Sequence, residues 1–165
     1  MTVLIDRINH WLGRTAAWLT LAMAVAVAAI VLLRYALAQN TILLQEAVSY
    51  GHGLVLMLGI AYTLKESGHV RVDILYSSRS PRWRALVDLF GHLFLLLPVA
   101  GLLLATSVPY ALSAWRILEG SSEVGGLPGV FLLKTLIPLM AALLLLQGLS
   151  EIGKAWRRLA EGSSQ

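Results

Sequence analysis

The 165-residue sequence has no cysteine and little charge: 13 Lys and Arg against 9 Asp and Glu, together 13% of the chain. Without cysteine there is no disulfide framework, thiolate metal site or thiol nucleophile. Soluble domains carry about 25% charged residues; at half that, with 58% hydrophobic residues, the polar surface cannot cover a water-facing exterior. An ordinary soluble domain is excluded, and the apolar excess must face lipid or apolar protein. Also missing are a Gly-rich phosphate loop, metal-ligand spacing and a nucleophile constellation, so no feature points to an enzyme. The net charge of +4 comes from basic residues lying between apolar runs. That placement speaks of membrane topology and gives no reason to expect a nucleic-acid partner.

What the chain does have is long apolar runs. A membrane-crossing helix needs about 20 apolar residues, because ~30 Å of hydrocarbon is crossed at 1.5 Å per residue. Four segments qualify, at about 15–34, 46–64, 85–115 and 131–150. They are apolar on every face, whereas barrel strands alternate, so the expected fold is all-α, a single four-helix membrane domain. Ten of the 13 Lys and Arg flank the runs on one side, and Arg34, Arg116 and Lys134 lie on the other. The positive-inside rule then places both termini in the cytoplasm.

Before the first run, Leu4, Ile5, Ile8, Trp11 and Leu12 recur at helical spacing. This segment reads equally as an amphipathic helix lying in the membrane surface or as an extension of the first span. Ser80-Pro81 reads as a helix start, a hydroxyl cap followed by a residue whose missing N–H costs nothing there. The third helix, carried to Leu118, would overrun the hydrocarbon, and Pro98 and Pro109 are the expected kinks. Glu119 to Gly129 has four Gly and one Pro and reads as a loop.

The centres of the runs hold no Asp, Glu, Lys or Arg. A secondary carrier needs polar groups near mid-membrane, so the chain alone makes a poor carrier and a better anchor or scaffold. The stripe Ala22, Ala24, Ala26, Ala28 and Ala29 suits either packing against a larger membrane partner or plain contact with lipid. His52 and His92 raise the alternative of a haem- or quinone-linked anchor of a respiratory enzyme, but the topology sets them at different depths, ~15 Å apart along the membrane normal. No cofactor is expected. Arg34, Glu46, Glu119, Glu123 and Lys134 share one depth zone, where an ion pair such as Glu46 with Lys134 competes with independent snorkelling.

After the second run stands Gly68-His69-Val70-Arg71-Val72-Asp73, in which Val alternates with His, Arg and Asp. With this strip the sequence resembles the small membrane subunit, DctQ-like, of tripartite ATP-independent periplasmic (TRAP) transporters. Arg34-Tyr35 at the end of the first helix, Gly125-Gly126-Leu127-Pro128, Lys134, Ile137-Pro138 and Leu146-Gln147-Gly148 are similar to further family patterns. One departure is Leu43-Leu44-Gln45-Glu46, where relatives often carry Trp-x-Glu-Glu; only Glu46 matches. The resemblance implies a multi-pass protein of the bacterial inner membrane that supports a large permease subunit. That partner would hold the sodium and substrate sites, and a periplasmic solute-binding protein would deliver an organic acid or similar solute. It marks Arg34, Tyr35, Glu46, Gly68, His69, Arg71, Asp73, Gly126, Pro128, Lys134, Pro138 and Gln147 as motif or interface candidates. Residues 39–46 and 118–129 are the expected contacts with the binding protein, and membrane lipids are the remaining partner.

Overall fold

The computed structural model describes residues 2–66, 68, 76 and 78–161. Among them are helices and no strand: α1 (Thr2–Leu37), α2 (Ile42–Lys65), α3 (Pro81–Phe90), a π-helical turn (Gly91–Leu96), α4 (Leu97–Arg116) and α5 (Val130–Glu161). Because α3, the π turn and α4 run on without a break, four helices are long and apolar enough to cross a membrane, as the apolar runs imply. The strip residues His69, Arg71 and Asp73 lie outside the described residues.

Helix α1 is continuous from Thr2, so the amphipathic segment extends the first span without a break. Its N-terminal turns continue down the bundle and meet the far end of α5. Ser80 caps α3 as its sequence suggests, accepting a hydrogen bond from the Trp83 N–H with Pro81 just inside the helix. The expected kinks resolve differently. Pro109 sits inside a continuous α4, whereas the helix widens into a π turn just before Pro98. Pro98 lacks an N–H and its ring crowds the carbonyl one turn earlier, so a wider turn relieves the clash without breaking the rod.

Helix α5 is the axis of the bundle and touches every other helix, with α1 against α2 and α4 against α5 as the other long seams. Its buried face holds Met140, Ala141, Leu143, Leu144 and Gln147; Leu64, Ala100, Met140 and Leu144 form the core with Met57, Ile60 and Leu96 against them. In lipid the hydrophobic effect between helices is absent, so close packing through small residues must hold the seams. Ala61, Ala85, Ala100, Ala111, Ala114 and Ala141 do this here, all of them buried. At Gly148 a Cβ would stand 2.8 Å from a terminal methyl of Leu96, so glycine lets that side chain pack directly on the α5 backbone. The Ala stripe of α1 divides: Ala24 and Ala28 face out of the bundle, Ala26 and Ala29 are half-buried, and Ala22 and Ala26 border the cleft between α1 and α2.

Candidate functional site: two polar clusters at the ends of the bundle

Polar side chains gather at the two ends. At the end carrying both termini, Asn9 on α1 and Gln147 on α5 are 1% and 0% exposed, and the Asn9 Nδ2 donates to Gln147 Oε1 at 2.6 Å. Gln147 Nε2 donates to Asp6 at 3.1 Å and to Glu151 at 2.8 Å. Lys154 bridges the same two carboxylates, at 2.9 Å from Asp6 and 2.8 Å from Glu151. Ser150 adds a hydrogen bond to Asp6 at 3.3 Å. Positions 147, 150, 151 and 154 form one helical face, opposite positions 6 and 9 of α1. The two carboxylates and the Gln147 amide are thereby matched, the condition for burying polar groups at tolerable cost, whereas the buried Asn9 Oδ1 has no partner among the described residues. Gln147 was legible as a candidate; Asp6, Asn9, Ser150, Glu151 and Lys154 were not, although the i, i+3, i+4, i+7 polar stripe at the end of an apolar helix marks the place.

At the opposite end the chain folds its longest described loop onto the start of α2. The Glu46 carboxylate accepts hydrogen bonds from Ser121 Oγ and from the Leu127 N–H. Gly126 lies against it, where a Cβ would be 2.7 Å from Glu46 Oε2, which explains glycine at this position. Lys134 does not pair with Glu46, as one sequence expectation had it. Its ammonium contacts both Glu119 oxygens, at 2.6 and 2.7 Å, and lies 4.4 Å from the Tyr110 ring centroid. The reason is the chain path: α4 ends in a hydrogen-bonded reversal that delivers Glu119 beside the first turn of α5. Glu119 N–H bonds to Ala114 O and Leu118 N–H to Trp115 O, with Leu118 at φ 45° in the left-handed region normally given to glycine. Trp115 Nε1 donates to Thr135 Oγ1 at 2.8 Å and packs edge-on against Phe131, closing the same corner.

The remaining sequence candidates are dispersed. Arg34 and Tyr35 are exposed in the last turn of α1, where the arginine charge suits the helix C-terminus. Gly68 ends α2 by donating to Thr63 O at 2.8 Å. Pro128 is exposed in the loop beside Gly120, and Pro138 is half-buried within α5. His52 faces out of the bundle, and His92 is half-buried with Nδ1 2.5 Å from the Asp88 carbonyl, the acceptor of its N–H.

Among the described residues, the side-chain clusters that bond one helix or loop to another, Asp6–Asn9–Gln147–Lys154 and Glu46–Gly126 with Lys134–Glu119, lie at the two ends of four apolar helices long enough to span a membrane. The family model for the DctQ component of tripartite ATP-independent periplasmic transporters matches residues 23–158. The chain belongs to this family. It is thus a component of a TRAP transporter, and the respiratory-anchor alternative is not favoured. No curated protein and no solved structure matches it. Glu46, Gly126, Lys134 and Gln147 of this DctQ component all fall within the matched span; Asp6 and Asn9 precede it.

Proposed function

We propose that this DctQ component is the fixed, non-transporting support of a large TRAP permease subunit in sodium-coupled, binding-protein-dependent uptake of an organic acid or similar solute. The observation that carries the reading is the segregation of polarity. The spans hold no acidic or basic residue in their centres, and the carboxylates, the Gln147 amide and the lysines of the two end clusters bond to one another rather than to an open mid-membrane site. A moving carrier needs a polar site at the bilayer midplane and a bistable packing around it. Here the end clusters tie α1 to α5 and α2 to the α4–α5 loop, favouring one arrangement. The cargo and sodium sites then belong to the large subunit.

The end with the termini also carries Arg7, Arg14, Arg79, Arg82, Arg84, Arg157 and Arg158, and by the positive-inside rule it is cytoplasmic. The Glu46 end is then periplasmic. Its loops, 39–46 and 118–129, are the surface offered to the solute-binding protein, held in shape by Glu46. Reconstitution in liposomes tests the assignment. Accumulation is expected only when the large subunit, this chain and the binding protein are present together with a sodium gradient. Accumulation driven by this chain alone would overturn it, as would periplasmic exposure of a reporter fused to either terminus.

A further inference from the structure

Two cavities meet beside the π turn, and their lining differs in kind. One is an open, apolar groove of about 640 Å³ along the outer face of α3, the π turn and α4, touching Trp83, Val87, Gly91, Leu95 and Val99. The other is a smaller, more enclosed pocket of about 70 Å³, lined chiefly by polar side chains, Glu151 and Arg158 of α5 among them. Leu64, Tyr76, Asp88 and His92 border both, so the two are continuous. From Trp83 to Val99 the groove follows about 24 Å of helix. One leaflet of hydrocarbon is about 15 Å deep, half of ~30 Å. The groove therefore spans the hydrocarbon of one leaflet, with its polar mouth at the end of the bundle that carries the termini.

The charges in the mouth decide what it accepts. Asp88 accepts the Tyr76 hydroxyl at 2.7 Å, and Glu151 is bonded to Lys154 and Gln147 at 2.8 Å each. Arg158 forms no ion pair among the described residues. The group left to be matched is thus a guanidinium, the side chain best suited to a phosphodiester. Trp83 at the rim is the amphipathic ring found at headgroup level. We infer that this composite cavity is a glycerophospholipid site, with one acyl chain along the groove past Gly91 and the phosphodiester on Arg158. A transmembrane helix of another protein would match both halves only if it carried an acidic group at the depth of the guanidinium. A single phospholipid satisfies both halves. The inference does not depend on the proposed support role, because it concerns the isolated chain.

The full chain, purified in mild detergent and stripped of endogenous lipid, is titrated by native mass spectrometry with dioleoyl phosphatidylglycerol, dioleoyl phosphatidylethanolamine and dioleoylglycerol. Both phospholipids should bind about tenfold more tightly than the phosphate-free lipid. A Cβ at Gly91 would meet nothing within 4 Å, so Gly91→Leu starts its side chain in open space beside the groove and should lower binding of all three lipids. Arg158→Gln, at an exposed position, should remove the phospholipid advantage and leave dioleoylglycerol binding unchanged. Equal binding of the phosphorylated and unphosphorylated lipids, or unchanged phospholipid binding by either variant, overturns the site. So does a Gly91→Leu chain that retains lipid but no longer assembles with the large subunit, which would make the groove a protein interface.

Discussion

The two ends of the bundle solve the same problem by different means. At the terminus-bearing end helix is bonded to helix: Asn9 to Gln147 and Asp6 to Lys154 join the first helix to the last, 138 and 148 residues apart in sequence. At the other end helix is bonded to loop, with Glu46 accepting from the Leu127 backbone and Lys134 clamping Glu119. The first fixes the register of two spans, which apolar seams alone leave able to slide. The second fixes the shape of a surface. The proposed support role calls for both, a rigid helical body and a loop surface of defined shape, and each falls at one end of the bundle.

The comparison is broken most severely at Lys154. Its ammonium serves two carboxylates on different helices, and its side chain is only 28% exposed. Lys154→Met leaves Asp6 and Glu151 facing each other without a counter-charge. Removing one partner of a fully buried pair costs about 3–5 kcal/mol, and the partial exposure here reduces that to about 2–3 kcal/mol. Thermal unfolding in detergent should show the loss, and adding Asp6→Asn to Lys154→Met should restore part of it. At the opposite end Glu46→Gln is next in size. The amide oxygen can keep the Leu127 N–H while the amide nitrogen donates to the Ser121 hydroxyl, so two charge-assisted hydrogen bonds become neutral ones, at a cost of about 1–2 kcal/mol. Limited proteolysis should then cut the 118–129 loop faster while the helices stay protected. If Lys154→Met instead loosened the loop and Glu46→Gln the helices, the division between the ends would be wrong.

How much of this was legible in the sequence follows from the range of each interaction. Four spanning helices could be read from run length alone, and Ser80-Pro81 from local capping chemistry, because both are decided within a few residues. Kinks at Pro98 and Pro109 are the sequence expectation, and a π turn before Pro98 with a continuous helix through Pro109 is what the structure has. Sequence shows that a hydrogen bond is lost, not how the neighbouring turn absorbs the loss. The sequence offers Glu46 as a partner for Lys134, or independent snorkelling, and the structure gives Glu119, since the choice depends on where the left-handed Leu118 sends the chain. Gln147 was marked only by family resemblance. Its partners Asn9 and Asp6 stayed hidden because they belong to a segment that reads equally as an interfacial helix, and only tertiary packing brings it against α5.

A smaller effect sharpens the register argument. Gln147→Leu removes the acceptor of the buried Asn9 amide, and Asn9→Leu removes the donor; each should cost about 1–2 kcal/mol by stranding a buried polar group. The double substitution replaces both with apolar groups of similar size, so the pair should show a coupling of about 1 kcal/mol in a double-mutant cycle. Additive losses would mean the two amides are satisfied by something other than each other.

The smallest expected change has the opposite sign. Leu118 holds φ 45° at the end of α4 with its side chain 64% exposed, so little packing offsets the crowding of its Cβ against the backbone. An L-residue in the left-handed region costs about 1 kcal/mol relative to glycine. Leu118→Gly should therefore raise the unfolding midpoint slightly, even though glycine also frees the unfolded chain and returns part of the gain. Binding-protein-dependent uptake separates the two reasons for a leucine there. If the exposed side chain is part of the outer docking face, the more stable variant transports less; if it is only an ill-suited cap, uptake is unchanged or improved.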